Sequence, residues 1–434
     1  MKDVSPPPQP FHLELTVPGS KYEANRLITA AALTEGPSRI RGGPDNGDVR
    51  SAIRAYRDLG ARIGGAPADL RIEGVSARRP AGIPAAPVRV NVGDSGTLFR
   101  FFTAAAAATG RAVEITGEGR IPDRPIAGLI RALEQLGAEV TTTRGHALLR
   151  LPARPPAGGF VRVAARESSQ FASALLLAAP RLRQGLTLEL AEEPVSAPYL
   201  GLTVAVMARC GVPVRREGSR RFRVAPGSRY RPGVHRVSGD WTAAGTFLAA
   251  AAVARGQVEI TGLDPDTPQG ERRFPEILRA MGCTVRESGA GPDSFRIAIG
   301  GPPRLRALRV DMGTMPDAVP NLAAIAAFAE GRTVISGIGH LRFKESDRIG
   351  AMATGLVALG GRAKATTDGL VIEGGGLGAG VVDPAGDHRI AMAFALAGLR
   401  LPGIRIRNPE VVAKSFPGFW DALAGLGARI IDRA

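Results

Sequence analysis

The chain has 434 residues, 44% hydrophobic and 22% charged, which excludes wholesale disorder and leaves room for two or three domains with large cores. Lys and Arg number 56 against 40 Asp and Glu, a net charge of +16, so anionic partners are expected. No apolar run reaches the ~18–20 residues of a membrane span. The N-terminal MKDVSPPPQP has no signal core or transit character, so a cytoplasmic location is expected. Cys210 and Cys283 cannot build a disulfide scaffold or a zinc knuckle. His12, His146, His235, His340 and His388 are scattered, which argues against a histidine-built metal site.

Along the chain an amphipathic helix repeatedly ends in a glycine that opens onto a strand: RDLGARI at Gly60, EQLGAEV at Gly137, ARCGVPV at Gly211, RAMGCTV at Gly282, VALGGRA at Gly360 and AGLGARI at Gly427. The glycines lie 77, 74, 71, 78 and 67 residues apart. In step with them run alanine-rich segments, predicted as buried helices over Asn25–Leu33, Thr97–Thr109, Ser169–Ala179, Trp241–Ala254, Pro320–Ala329 and His388–Leu399. Six units of roughly 70 residues exceed a solenoid repeat, so they divide as three plus three with a crossover near Arg236–Gly239.

Polar motifs open the alanine-rich helices: PGSKYEANR, GDSGTLFR, ESSQFAS, SGDWTAA, MPDAVPN and GDHRIAM. Helix starts favour anions, although Ser, Thr and Asp there also serve as plain caps, as expected of Asp240. Lys21, Arg26, Arg100, Gln170, Asp317, His388 and Arg389 at such positions suggest a shared polar cleft. Arg124 precedes a further helix. In HLRFKESDRIGAM, Lys344 and Arg348 would be i,i+4 neighbours if helical and would repel unless an anion lay between them, or else form a solvated charged face. Only five cations are lysines, Lys2, Lys21, Lys344, Lys364 and Lys414, so a retained lysine can mark a need for a compact ammonium. GGGLGAG at 374–380 runs into VVDP rather than a helix, so it implies no dinucleotide site. The basic stretch around Phe222 and Tyr230 reads as a solvated strand pair before it reads as a nucleic-acid face.

The ordered set GSKxxxNR, GxxGTxxR, RPI, SSQF, VSxPY, GD, PDA, KESDR, DHR and AKSFP resembles the enolpyruvyl transferases, most closely the 5-enolpyruvylshikimate-3-phosphate synthase family, over about Pro18 to Leu423. The resemblance implies an α/β fold of two similar domains, each of three βαβαββ units in an inverse α/β barrel-like arrangement, with the active site in the cleft between them. The domains would be 20–238, and 239–434 with 1–19. The implied reaction transfers the enolpyruvyl group of phosphoenolpyruvate to the 5-hydroxyl of shikimate 3-phosphate, a step toward chorismate and the aromatic amino acids. By the same resemblance, Lys21, Gly96, Arg124, Gln170, Arg348, Arg389 and Lys414 would hold phosphoenolpyruvate. Lys21, Tyr22, Arg26, Ser168, Ser169, Gln170, Ser196, Asp317, His340 and Lys344 would hold shikimate 3-phosphate. Asp317, Glu345 and Lys21 would be catalytic, with no metal, nucleotide or redox cofactor, no nucleic acid or membrane partner, and a monomer expected. Cations drawn from both halves would repel without ligand, so an open form that closes on binding is expected.

Tyr22 stands where the family usually has serine, Asp94 where Asn is common, and His340 where some members have Asn. The Tyr22 hydroxyl is expected to replace the serine as a donor to the acceptor. An enolpyruvyl transferase for another acceptor alcohol is the alternative. The branch acting on UDP-N-acetylglucosamine has a cysteine five residues before the counterpart of Arg124, where this chain has Gly119. A nonenzymatic RNA-binding protein would rest on the +16 charge and the arginines around Phe222.

Overall fold

The computed structural model describes residues 1–8, 11–75, 86–143, 148–164, 166 and 168–433; His146 lies outside the described residues. Contacts divide the chain into two compact units, Gly19–Val237 and Met1–Pro18 with Ser238–Ala434. Among the described residues each unit holds three four-stranded sheets built to one plan. In one, strand Val88–Asn91 crosses through helix Gly96–Thr109 to a parallel partner, Val113–Thr116, with Val88 opposite Val113. Helix Ala127–Gln135 then leads to Thr141–Thr143 and Leu148–Leu151, which complete the sheet antiparallel. In the other unit Arg309–Asp311, Arg332–Ser336, Leu370–Glu373 and Arg362–Ala365 repeat that order. The expected α/β fold of two similar halves with repeated βαβαββ units is therefore present.

The N-terminal residues belong to sheets formed far downstream. His12–Thr16 pairs in parallel with Gln257–Thr261, Leu13 opposite Val258. Lys2–Ser5 lies antiparallel between Ile404–Ile406 and Arg429–Asp432. The Met1 ammonium donates to the Arg433 carbonyl at 2.9 Å.

The alanine-rich helices form the two cores. Every residue of Lys21–Ala32, Val319–Ala326 and His388–Gly398 is buried. Small side chains allow this, and glycine sets how closely the neighbouring helices dock. A Cβ on Gly128 of Ala127–Gln135 would lie 2.8 Å from the Phe171 ring, and one on Gly355 of Arg348–Ala358 would lie 2.4 Å from Phe394. The same glycine-on-phenylalanine contact thus recurs in both units. The six repeat glycines all have φ between 82° and 104°, the left-handed conformation that ends each amphipathic helix.

Two boundaries differ from expectation. The first helix starts at Lys21 rather than Asn25, because Ser20 is already the extended cap residue, so Lys21 and Tyr22 belong to its first turn. Val319–Ala326 stops before Ala329, which pairs instead with Leu305 in a short parallel ladder. Asp240 is a cap as expected, accepting from the Thr242 and Ala243 amides at 2.8 and 3.1 Å. Cys210 and Cys283 are unlinked, and burial pushes their thiols up to about 11 and about 12. Among the described residues no helix is long and apolar enough to cross a membrane.

Candidate active site

In the unit containing residues 238–434, three elements converge on one guanidinium. Arg348 opens helix Arg348–Ala358, whose start is capped by Asp347. Each arm of Arg348 takes a different carboxylate: Nη1 donates to Asp317 Oδ1, Nη2 to Glu345 Oε2 and Nε to Asp387 Oδ2, all at 2.7 Å. Asp317 comes from the turn Pro316–Ala318 before a buried helix, and Asp387 caps another, accepting from the Arg389 amide at 2.9 Å. Arg389 Nη2 lies 3.4 Å from Asp317 Oδ2, and Lys414 Nζ lies 3.7 Å from Glu345 Oε1. Burial opposes charge on Arg348, but Asp387, Glu345 and Asp317 outweigh it and hold its pKa well above the usual guanidinium value. Asp317 therefore faces two guanidiniums, whereas Glu345 faces one guanidinium and one ammonium.

This arrangement corrects three expectations. Lys344 and Arg348 do not share a helix face: Lys344 is extended (φ −89°, ψ −153°) after the turn Gly339–Phe343, and the helix begins only at Arg348. The segment is not a solvated face either, since Ser346 and Arg348 are buried. Nor are the cations bare, as the repulsion argument assumed; Arg348, Arg389 and Lys414 each meet a carboxylate.

His340 lies nearby. Burial first, and then the Lys344 ammonium, push its pKa down to about 4. The folded protein thus holds a neutral ring where the unfolded chain protonates near 6.5. The unfolded state binds the extra proton between those values, so His340 costs stability as pH falls through that window. Unfolding measured from pH 4 to 7 is expected to show a shallower pH slope in His340→Asn than in the parent.

In Gly19–Val237 a second polar group forms at the starts of three buried helices. Lys21 Nζ donates to Asp48 Oδ2 at 2.7 Å. The Arg124 side chain lies against Gly96, the first residue of its helix, where a Cβ would be 2.3 Å from Arg124 Cζ. Arg100 Nη1 donates to Gln170 Oε1 at 2.6 Å, and Gln170 Nε2 to Thr97 Oγ1 at 3.0 Å. The Gln170 amide donates to Ser168 Oγ at 3.2 Å, and Ser169 is the buried residue just before the helix. Ser196 holds a left-handed conformation (φ 55°) at the start of Ala197–Arg209. Arg26 is turned into the fold: it donates to Thr203 Oγ1, the Tyr22 carbonyl and the Tyr199 carbonyl at 2.8, 2.8 and 2.9 Å, and burial lowers its pKa to about 10. Direct contacts thus tie Asp317, Glu345, Arg348, Arg389 and Lys414 together in one unit, and Arg100, Gln170 and Ser168 in the other. Sequence reasoning missed Asp48 and Asp387, the carboxylates that fix Lys21 and Arg348.

The nucleic-acid reading loses support, because Phe222 and Tyr230 are buried and offer no stacking platform. As expected, 374–380 leads into strand Gly380–Val382 rather than a helix.

Comparisons with known proteins agree on one family. The family model described as EPSP synthase (3-phosphoshikimate 1-carboxyvinyltransferase) matches residues 6–423. A 3-phosphoshikimate 1-carboxyvinyltransferase of Methanoculleus marisnigri is 40% identical over 420 residues, covering 96% of this chain and 97% of its own length. One of Bordetella pertussis is 39% identical, with 95% of each covered. The solved EPSP synthase of Acinetobacter baumannii superposes with a TM-score of 0.80 at 29% identity, covering 99% of both chains. Sequence similarity over nearly the full length and a shared fold place the chain in the EPSP synthase family.

Proposed function

We propose that this protein is a 3-phosphoshikimate 1-carboxyvinyltransferase, joining the enolpyruvyl group of phosphoenolpyruvate to the 5-hydroxyl of shikimate 3-phosphate with release of phosphate. The observation that carries the reading is the convergence of Arg348, Arg389 and Lys414 on Asp317 and Glu345. The reaction needs such a set, because it must hold anions while moving two protons. The acceptor oxygen attacks C2 of phosphoenolpyruvate as its proton leaves, and C3 takes up a proton to become a methyl group. The C2–O bond to phosphate then breaks and C3 gives a proton back. Carboxylates surrounded by different cations can divide these roles. Asp317 takes the hydroxyl proton and Glu345 serves C3, with Lys21 supporting the charge that develops.

Phosphoenolpyruvate is assigned to Lys21, Gly96, Arg124, Gln170, Arg348, Arg389 and Lys414. Shikimate 3-phosphate is assigned to Lys21, Arg26, Ser168, Ser169, Gln170, Ser196, Asp317, His340 and Lys344. The fixed guanidiniums and ammoniums favour phosphate and carboxylate oxygens. A monomer in the cytoplasm is part of the same reading. The direct test is phosphate release from phosphoenolpyruvate, expected only with shikimate 3-phosphate present. No release with that acceptor, together with release when another alcohol is supplied, would overturn the substrate assignment.

Gly96 provides a sharper check. A methyl group in Gly96→Ala must displace the Arg124 guanidinium, whose nearest atoms stand at 2.3–2.7 Å from the added carbon. A charge-assisted hydrogen bond is worth ~1.5–3 kcal/mol, so the KM for phosphoenolpyruvate is expected to rise by roughly tenfold or more. Steady-state kinetics measure it, and an unchanged KM would remove Arg124 from the phosphoenolpyruvate site.

A further inference from the structure

The start of helix Lys21–Ala32 contains a contact that the reaction does not itself require. Successive helix residues do not face each other, yet Lys21 Nζ lies 5.6 Å from the centroid of the Tyr22 ring. The same ammonium donates to Asp48 Oδ2 at 2.7 Å. Tyr22 in turn is buried and packs on Tyr199, ring centroids 4.9 Å apart and planes tilted by 52°. Arg26 secures both tyrosines from behind, because Nη1 donates to the Tyr22 carbonyl and Nη2 to the Tyr199 carbonyl. Its guanidinium carbon also lies 5.1 Å from the Phe101 ring centroid. A buried cation thus fixes two backbone segments, these fix a ring pair, and the ring pair bounds the space open to the ammonium.

From this geometry we infer that Tyr22 is a positioning residue that acts through its aromatic face, holding the Lys21 ammonium between the ring and the Asp48 carboxylate. The inference rests on the proposed function for the role of Lys21, but the placement of Lys21 stands on the contacts alone. It departs from the expectation that the Tyr22 hydroxyl substitutes for a serine hydroxyl on the acceptor. An ammonium has three donors and no fixed plane, so it adapts to several partners at once. A flexible four-carbon stem otherwise samples many rotamers, and a cation over a ring is favoured electrostatically. Tyr22 therefore reduces what must be ordered when the anion binds, and its loss appears first in KM for that anion.

Two measurements test this, one of them independent of turnover. With five lysines in the chain, the lysine ε-methylene resonances of selectively 13C-labelled protein are few. Lys21 is expected to show an upfield ring-current shift in the ligand-free protein. Lys2, which lies 5.9 Å from the Trp420 ring centroid, gives the second such signal and is identified by Lys2→Arg. The Lys21 shift is expected to persist in Tyr22→Phe and to vanish in Tyr22→Leu. In kinetics, Tyr22→Leu is expected to have a KM for phosphoenolpyruvate roughly three- to thirtyfold above that of Tyr22→Phe, with a smaller change in kcat. If Tyr22→Leu does not fold, Tyr22→Met supplies the comparison. Absence of the shift in the parent would overturn the inference. So would equal losses in the Phe and Leu variants, which would transfer the role to the hydroxyl. A parent inactive with both substrates would refute the proposed function, while the Lys21 resonance would still decide where the ammonium sits.

Discussion

Asp317→Asn and Glu345→Gln are each expected to lower turnover by ~10²–10⁴, the range for a lost acid–base group, while leaving the fold in place. The amide substitutions keep side-chain shape and still present an oxygen to Arg348, which bonds Asp317 Oδ1 and Glu345 Oε2 at 2.7 Å. They remove the charge and the ability to carry a proton. The fall should lie in kcat more than in either KM, and circular dichroism should be unchanged. If both variants keep near-parental kcat and lose only melting temperature, the carboxylates are structural partners of Arg348. Single-turnover measurements separate the two residues, because a block at hydroxyl deprotonation and a block at C3 protonation respond differently to deuterated solvent.

The largest effect on stability is expected at Arg348. Its side chain is about 2% exposed, and Asp317, Glu345 and Asp387 all depend on it. Breaking a buried ion pair by removing one partner typically costs ~3–5 kcal/mol, because the other charge is left unpaired. Arg348→Met leaves three carboxylates, relieved only in part by Arg389 and Lys414, so a loss at the upper end of that range is expected. Denaturant unfolding measures it. The deficit should narrow as pH is lowered, since protonating a carboxylate removes the unpaired charge. Arg348→Lys should recover only part of the loss, because one ammonium cannot reach three carboxylates as the Nε, Nη1 and Nη2 arms do. Adding Asp387→Asn to Arg348→Met should restore some stability by deleting the most buried of the three charges. Equal stability of parent and Arg348→Met would refute the account.

The repeat was legible in the sequence because it is written in backbone requirements. Gly60, Gly137, Gly211, Gly282, Gly360 and Gly427 all adopt the conformation for which the residue type was read. The alanine-rich segments were legible for a similar reason, since small apolar side chains around the whole circumference have no solvent face to offer. What failed was pairing at a distance. Asp387 reads as a cap and is one, through the Arg389 amide, but its other oxygen takes Arg348 from 39 residues away. Asp48 likewise looks like an ordinary first-turn acid of Gly47–Asp58, and nothing local announces Lys21. The helical reading of Lys344 and Arg348 failed locally, because Asp347 between them is itself the N-cap. An Asp immediately before an Arg-led apolar run was the signal that could have placed that boundary.

The placement of strands Lys2–Ser5 and His12–Thr16 has a consequence for how the protein emerges from the ribosome. Residues Gly19–Val237 are contiguous and can close their three sheets as soon as they are made. Strands Lys2–Ser5 and His12–Thr16 cannot, because their partners begin at Gln257 and at Ile404. At ~5–20 residues per second, strand Lys2–Ser5 waits roughly 20–80 seconds for Arg429–Asp432 to appear. Until Ile404–Ile406 is made, Val4, fully buried in the finished fold, has no sheet to enter. Its strand must stay unpaired after Gly19–Val237 has closed, then enter between Ile404–Ile406 and Arg429–Asp432. Nascent chains stalled before residue 404 should therefore leave Lys2–Ser5 open to protease while Gly19–Val237 already resists it.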